Sequence, residues 1–419
     1  MGPSVADGCT SWNFPSTLIC RSVHAPYKER RISNRWLILA VLFFARTAMA
    51  FQFQSVGALS PLIIEGYGVS LADIGLLIGL YMAPGVIVAI PGGAVAALFG
   101  DKRVVAVSMI LMLLGGLLIS YAPGWWSLIA GRLIAGIGGV ALNVVMTKMV
   151  VDWFAGREIS TAMAIFINSW PVGIALALLA LPSVAVMGGL VLAWITVLSM
   201  IAVSLALFVA FYRTPDNAVA AVARITVGKL PGYPLFLAGA LWAIYNTSLA
   251  MVFSFGPALL SERGLPLASA SSMTSLFMVI FALAVPLGGI IADRTGRRDT
   301  VIMVSLLSYA LLIPLVLFVP VTTVPAIFLV VGFFYGLGAG PIVGLPSNVL
   351  PPAVRAFGMG VYYSIYYLWM MAALPLAGAA ADALGNTGVV FVLGAVIVVA
   401  SMVVLALFRR AQVQVISVG

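Results

Sequence analysis

Charged residues are scarce in this chain of 419 residues. Asp, Glu, Lys and Arg make up 8% of it, whereas about a quarter of the residues in soluble domains are charged. Hydrophobic residues make up 63%, well above the roughly 45–50% of soluble domains. So few charges cannot cover the surface of a water-soluble fold. The composition therefore excludes a soluble enzyme, a nucleic-acid-binding domain and a disordered protein.

Cysteine and histidine are nearly absent as well. Cys9, Cys20 and His24 all precede the first long apolar run, so we expect no disulfide framework, metal site or histidine proton relay in the hydrophobic body. The chain also lacks a GxxxxGKS/T phosphate loop and the GxSxG and HExxH signatures. Their absence argues against ATP-driven transport and against an enzyme. No cofactor is expected.

Long, continuous apolar runs dominate what the chain does contain. A helix needs about 20 apolar residues to cross a bilayer, and these runs lack the short alternating pattern of a membrane β-barrel. The sequence therefore predicts an all-α membrane protein with twelve transmembrane helices. The predicted spans are residues 35–59, 72–97, 103–122, 126–150, 158–182, 188–212, 232–258, 268–292, 299–320, 323–349, 356–380 and 387–408.

These spans divide the cations unevenly between the two sides of the bilayer. With the N-terminus inside, 18 of the 21 Lys and Arg residues fall in inside segments, and one, Arg263, falls in an outside gap. Arg46 and Arg132 lie within spans. This bias is the positive-inside signal. It predicts a multi-pass protein of the inner or plasma membrane with both termini cytoplasmic, and it explains the net charge of +9 without a nucleic-acid partner.

A weak internal repeat divides the hydrophobic body into two halves. Shifting the sequence by 196 residues superposes the segment from Ile90 on the segment from Pro286. Parallel six-helix repeats are a transporter architecture. The predicted organisation is a disordered cytoplasmic tail (1–33), an N-terminal six-helix bundle (34–213), a cytoplasmic linker (214–231), a C-terminal six-helix bundle (232–410) and a cytoplasmic tail (411–419).

Two short polar motifs carry a family resemblance. The loop between spans eight and nine reads GxxxDRxGRR, and span four contains RxxxG; their residues are Gly289, Asp293, Arg294, Gly296, Arg297 and Arg298, and Arg132 and Gly136. The chain resembles the major facilitator superfamily in these motifs over residues 34–410. The amino-acid sequence of its first two spans resembles the cyanate and nitroimidazole transporter-like branch. The resemblance implies two pseudo-symmetric six-helix bundles, secondary transport by alternating access and a functional monomer.

The same resemblance implies a conformational role for the loop. Asp293 and Arg294 are expected to make contacts that break when the two halves rock, so that the loop acts as a latch. For Arg297 and Arg298 we favour a plainer role, because cations anchor a loop in the cytosol. The N-terminal copy of the loop has Ala97 in place of the aspartate, which predicts an asymmetric latch.

Charges inside the membrane narrow the function. All 12 acidic residues lie in the N-terminal tail or in or beside gaps between spans, whereas Arg46 lies about 15 Å into the first span at 1.5 Å per residue. A lone arginine at that depth costs several kcal/mol unless it meets a partner. We predict that Arg46 attracts an anionic substrate. The alternative is a structural role, in which Arg46 bonds backbone carbonyls or hydroxyls of neighbouring spans.

Arg132 is the weaker candidate for substrate contact. It lies near the outer end of span four, where snorkelling to the interface or helix packing would explain its position equally well. In the superfamily this position belongs to a motif linked with coupling and helix packing.

Other polar and aromatic residues fall on spans that line the cavity in this family. Residues with a polar tip on an apolar body suit a small-ligand cavity, although ordinary helix packing and interfacial aromatic belts also explain such residues. The predicted substrate-binding set, besides Arg46, is Gln54, Asn143, Asn168, Trp242, Tyr245, Asn246, Tyr363 and Tyr367.

These features together predict a secondary transporter that moves a small anion or weak-acid metabolite. One alternative is a drug or metabolite exporter of the same superfamily, and another is a non-transporting receptor on the same fold. The lack of a carboxylate near mid-membrane argues against a carboxylate proton relay in the cavity. Exchange, uniport and symport with a proton carried by a peripheral acid all remain open.

Overall fold

The computed structural model describes residues 32–91, 96, 98–121, 124–154, 158–214, 230–351 and 354–418. Among these residues, eleven helices are long and apolar enough to cross a membrane. The longest of them has non-helical backbone at Gly188 and Gly189, so its two arms are two spans and the total is twelve. The predicted fold class is confirmed. Residues 1–31 of the proposed N-terminal tail and most of the proposed linker lie outside the described residues, whereas residues 32 and 33 of that tail are helical.

The N-terminal half has six spans, and seven helical segments of it have bounds within the described residues. They are α1 (Ile32–Ala58), α2 (Ser60–Tyr67), α3 (Leu71–Met82), α4 (Gly85–Val88), α5 (Asp101–Ser120), α6 (Trp125–Phe154) and α7 (Ile159–Phe211). The second predicted span is interrupted between α3 and α4, where Pro84 cannot donate a backbone hydrogen bond. The fifth and sixth predicted spans join in α7, because a break at two glycines takes up less chain than the expected loop.

The C-terminal half contains the other six spans. Its helices are α8 (Gly232–Glu262), α9 (Leu267–Thr295), α10 (Arg298–Leu312), α11 (Val324–Val343), α12 (Arg355–Leu384) and α13 (Gly388–Val418). Short 3-10 turns follow α10 and α11. The last helix continues to Val418, so residues 411–418 extend α13 where the sequence predicted a separate tail.

The repeat of 196 residues has a counterpart in the packing. Gly136 on α6 is so close to α3 that a methyl group there would lie 2.4 Å from the carbonyl oxygen of Tyr81. Its counterpart Gly332 on α11 meets α9 in the same way, because a methyl group there would lie 2.6 Å from the carbonyl oxygen of Phe277. Each half therefore uses a glycine at the equivalent position to bring two helices into contact.

The two ends of the bundle differ in their charges. We call the end that carries Arg35, Lys148 and Arg409 the basic face, and the other end, which carries Glu262 and Asp382, the opposite face. Four groups of ion pairs occur at the basic face among the described residues: Arg35–Glu158, Lys148 with Asp101 and Asp152, Arg298–Asp293, and Arg409–Asp299.

The two halves touch most closely where α3 packs against α12. Methyl groups at Gly75 and Gly79 would lie 2.4 and 2.6 Å from the carbonyl oxygens of Leu374 and Met371, so the two backbones approach as closely as small residues permit. At the opposite face, the carboxylate of Asp382 on α12 accepts hydrogen bonds from the first two backbone N–H groups of α3, at 3.0 and 2.8 Å. This contact satisfies donors that a helix N-terminus otherwise leaves free.

Access to the middle of the bundle is closed from the opposite face. Residues 47–60, in α1 and the start of α2, and residues 247–260 of α8 are buried without exception. The Gln54 amide nitrogen joins the two halves in this region by donating to the carbonyl oxygen of Phe253 at 2.7 Å. Apart from the last two residues of α8 at the opposite face, partly exposed side chains on the two central helices occur at Arg46, Trp242 and Asn246 and on the basic-face side of them. The accessible side of the bundle centre is therefore the side toward the basic face.

Candidate functional site

Arg46 lies midway along α1 and is half-buried at the centre of the bundle. Its Nε donates to Oδ1 of Asn143 on α6 at 2.9 Å. Its Nη1 donates to the carbonyl oxygens of Phe166 and Ile167 on α7, at 2.9 and 3.2 Å. The guanidinium also lies over the Phe166 ring, 4.7 Å from its centroid, which is within cation–π range. Three helices of the N-terminal half therefore fix its position.

A proline explains why α7 has a backbone carbonyl that can accept a hydrogen bond from Arg46. Pro171 lies inside α7 and has no N–H, so the carbonyl oxygen of Ile167, four residues earlier, loses its usual helical donor. Arg46 supplies a donor in its place. This is the structural role that the sequence left open for Arg46, in which it bonds backbone carbonyls of a neighbouring span.

One edge of the Arg46 guanidinium remains available. Nε has one N–H and Nη1 has two, and these three match the three acceptors on α6 and α7. Nη2 forms no hydrogen bond to any residue that the structure describes. The side chain is thus held by one side while two N–H donors stay free for a ligand.

Aromatic side chains of the C-terminal half face this arginine. The phenols of Tyr363, Tyr366 and Tyr367 on α12 lie near it. The Trp242 ring on α8 lies 6.4 Å from that of Tyr366, and the Tyr366 and Tyr367 rings are 4.9 Å apart. Since Trp242, Tyr363 and Tyr366 are partly exposed, they form an aromatic wall across from Arg46. We call this region, with Arg46, Asn143 and Asn246, the central site.

The remaining predicted residues differ in how close they come to the central site. Asn246 is partly exposed on α8, with its amide nitrogen donating to the carbonyl oxygen of Trp242 at 2.8 Å. Asn168 is half-buried, and its Oδ1 has no hydrogen-bond partner among the described residues. Gln54 is buried away from the central site and bonds Phe253. Tyr245 is buried beside Trp242, with the two rings stacked at 5.9 Å, and its hydroxyl donates to a backbone carbonyl of α11.

Arg132 does not snorkel to the interface as one of its two predicted explanations required. It is 1% exposed, and it donates three hydrogen bonds, to the carbonyl oxygens of Leu77 at 2.9 Å, Gln52 at 3.1 Å and Phe53 at 3.0 Å. Gly136 lies one turn further along α6 on the same face of the helix and packs against α3. The RxxxG motif therefore fastens α6 to α1 and α3, and helix packing explains Arg132 because the backbone supplies its polar surroundings.

The GxxxDRxGRR loop is exposed in this conformation. Asp293 accepts a hydrogen bond from Arg298 at 2.8 Å, and both side chains are more than half exposed. Gly296 ends α9 in the left-handed conformation, with φ +66°, which glycine adopts without strain. Arg294 and Arg297 are exposed, and Gly289 is half-buried near the end of α9. The described contacts of Asp293 stay within the loop and do not reach the other half.

Carboxylates are concentrated at the two ends of the bundle. Eight of the described acids accept hydrogen bonds there: Asp73, Asp101, Asp152, Glu158, Glu262, Asp293, Asp299 and Asp382. Glu65 is exposed at the opposite face. Within the described part of the chain, no carboxylate lies at the central site, and no cluster of metal-ligating residues was found.

Three residues that contribute to the site were missed in the predicted set. The Phe166 carbonyl and ring and the Ile167 carbonyl hold Arg46, and Tyr366 belongs to the aromatic wall. Pro171 was the available signal for the carbonyls, because it marks where α7 cannot pair its own backbone. No sequence signal distinguishes Tyr366 from Tyr367, since neighbouring residues on a helix differ only in direction.

A twelve-span helical bundle with a polar centre accessible from one side defines a membrane transporter. The chain belongs to the major facilitator superfamily: the sequence profile described as Major Facilitator Superfamily matches residues 42–273 and 235–416. It is a secondary transporter of that superfamily.

Relatives with named substrates are distant. The chain is 23% identical to the lysosomal dipeptide transporter MFSD1 of Mus musculus over 424 residues, with 94% of this chain and 90% of that protein covered. It is 24% identical to the hexuronate transporter of Bacillus subtilis (strain 168), covering 72% and 78% of the two chains. It is 25% identical to the gallate transporter of Pseudomonas putida, covering 64% and 68%. These relatives do not test the predicted cyanate and nitroimidazole branch, which stays a prediction.

Solved structures share the fold at low sequence identity. A bacterial homologue of the human lysosomal transporter Spinster, in an inward-facing and occupied conformation, matches with a TM-score of 0.66 at 16% identity, over 91% of this chain and 97% of that one. A POT family transporter in complex with a thioalcohol-conjugated peptide matches with a TM-score of 0.70 at 17% identity, over 89% and 96%. These similarities concern the fold alone.

Proposed function

We propose that the protein carries a small organic anion across the membrane, with Arg46 as the residue that attracts it. The free Nη2 of Arg46 carries this proposal, because it leaves two donors of a fixed guanidinium at the accessible centre of the bundle. Charge-assisted hydrogen bonds to a carboxylate are among the strongest that a side chain makes. Asn143 supports the site by holding the guanidinium in place.

The distribution of acids supports an anionic ligand. A guanidinium in the middle of a membrane protein needs polar partners, and the described carboxylates are engaged at the bundle ends or exposed there. Backbone carbonyls and an amide oxygen stabilise Arg46 but leave its charge without a counter-ion. A bound anion would supply that counter-ion.

Two relatives fit the same substrate class. The names of the Bacillus subtilis and Pseudomonas putida relatives give hexuronate and gallate as the transported compounds, and both are carboxylates. The Mus musculus relative is named for dipeptides, which carry a carboxylate and an amine. A carboxylate is the chemical group common to all three.

Alternating access would connect the central site to both sides. The central site is closed from the opposite face by the buried stretches of α1, α2 and α8, and transport requires that closure to open while the basic face closes. We propose that the GxxxDRxGRR loop takes part in the second step, and that the basic face is cytoplasmic in a plasma or inner membrane. The functional unit in this proposal is a monomer.

Ligand-induced thermal stabilisation tests the proposal, because binding stabilises the folded state by mass action. Purified protein is heated with a panel of small carboxylates and neutral analogues, with the wild type beside Arg46→Gln. Losing one charge-assisted hydrogen bond of about 1.5–3 kcal/mol weakens binding about 10- to 150-fold. Arg35→Gln is the matched control, since Arg35 pairs with Glu158 at the basic face.

The outcomes separate the competing functions. Stabilisation by carboxylates that Arg46→Gln abolishes and Arg35→Gln retains supports the proposal. Stabilisation by lipophilic cations, unchanged in Arg46→Gln, would instead support the exporter. Absence of a shift with every carboxylate would refute the anion proposal.

A further inference from the structure

The central site offers one positive charge and a single free edge. Arg46 keeps only Nη2 unengaged among the contacts of the described residues, so it cannot present the two-nitrogen fork that grips both oxygens of a carboxylate without giving up a bond to α6 or α7. The single free Nη2 group can bind one carboxylate group of a ligand. A second carboxylate on the ligand would meet no second cation among the residues of the central site.

The wall across from Arg46 has no group that would hold an ammonium by charge. It consists of the Trp242 indole, the Tyr363 and Tyr366 phenols and the Asn246 amide, whose nitrogen already bonds the Trp242 carbonyl. Aromatic faces attract cations through cation–π contacts. Here that attraction competes with Arg46 itself, because an amine next to the carboxylate of a ligand would lie within a few ångströms of the guanidinium.

The wall across from Arg46 does, in contrast, offer apolar surface to a ligand. The Trp242 and Tyr366 rings lie 6.4 Å apart at an interplanar angle of 43°, and both are partly exposed. A ring or short hydrocarbon body of a ligand can pack on such a wall while its carboxylate reaches Nη2. Polar groups fix the orientation and aromatic groups supply the contact area in sites of this kind.

From this arrangement we infer that the site selects monocarboxylates that lack an ammonium group and have an aromatic or apolar body. This inference rests on the proposed function, and it narrows the substrate class. It also gives the chain a different substrate class from the dipeptide transporters to which it is similar, because free peptides and amino acids carry an ammonium. The discriminating feature is the combination of Arg46 with a central site that contains no carboxylate among the described residues.

Pairs of ligands that differ only in the amine test the inference. The pairs are propionate with alanine, 3-phenylpropionate with phenylalanine, and 3-(4-hydroxyphenyl)propionate with tyrosine. Dissociation constants come from thermal shifts, and counterflow in proteoliposomes reports transport. Like charges brought together cost several kcal/mol, so we expect the amino acid of each pair to bind at least about tenfold more weakly than its deaminated partner.

A gain-of-function variant sharpens the test. Asn246→Asp places a carboxylate on the aromatic wall, while Asn246→Ala removes the amide without adding charge. We expect Asn246→Asp to raise the affinity for phenylalanine relative to 3-phenylpropionate by about tenfold, and Asn246→Ala to leave that ratio near the wild-type value. The comparison of ratios is independent of the absolute stability of either variant.

Each outcome bears on a separate claim. Phenylalanine that binds the wild type as tightly as 3-phenylpropionate, in a manner that Arg46→Gln abolishes, would overturn this inference and leave the anion proposal intact. Failure of all three deaminated acids to bind, while other carboxylates stabilise the protein, would overturn this inference alone, and failure of every carboxylate would overturn both. An unchanged ratio in Asn246→Asp would show that the missing carboxylate is not what excludes amines.

Discussion

Replacing Arg132 by leucine should destabilise the protein without removing ligand binding. Arg132 is 1% exposed and donates to three carbonyl oxygens on α1 and α3. At about 1.5–3 kcal/mol for each hydrogen bond from a charged donor, the three together contribute about 5–9 kcal/mol. Leucine also removes the desolvation penalty of a buried charge, which is several kcal/mol. The net loss in free energy of unfolding is therefore about 2–4 kcal/mol.

Thermal unfolding in detergent measures this loss, with a carboxylate that stabilises the wild type as the second readout. We expect Arg132→Leu to unfold at a lower temperature and to retain its shift with the ligand, whereas Arg46→Gln should lose that shift. Arg132→Lys should fall between, because one ammonium cannot reach three acceptors as the guanidinium fork does. Wild-type stability in Arg132→Leu together with a lost ligand shift would refute the packing role and make Arg132 a substrate contact.

Two further predictions concern the ends of the bundle. Asp293→Ala should slow flux in proteoliposomes without changing membrane insertion or stability, because its exposed pair with Arg298 contributes little to the free energy of unfolding. Unchanged flux would refute the latch role of Asp293. Asp382→Ala should open the opposite face, since it deletes both carboxylate contacts to the N-terminus of α3. Thiol labelling of Ser254→Cys, in a background without the native cysteines, should then speed up, with the exposed Glu65→Ala as control. Equal labelling in both variants would show that Asp382 does not hold that face closed.

The sequence alone determined the fold class and the number of spans. Apolar runs of bilayer length leave a helix as the structure that satisfies its own backbone in lipid, so composition and length suffice. The sequence also showed the repeat, but only the structure showed that Gly136 and Gly332 each lie where two helix backbones touch. The depth of Arg46 followed from its distance along α1.

Contacts between helices required the tertiary structure. Arg46 and Arg132 are both arginines within spans, yet one keeps a free Nη2 at the accessible centre and the other is enclosed by backbone carbonyls. Gln54 and Tyr245, two residues of the predicted set, are fully buried, Gln54 in a contact with Phe253 and Tyr245 stacked on Trp242. Sequence spacing gives the position of a residue along a helix, but the face that a helix presents depends on its neighbours. Those neighbours, brought together from distant parts of the chain, decided which polar side chains meet at the central site.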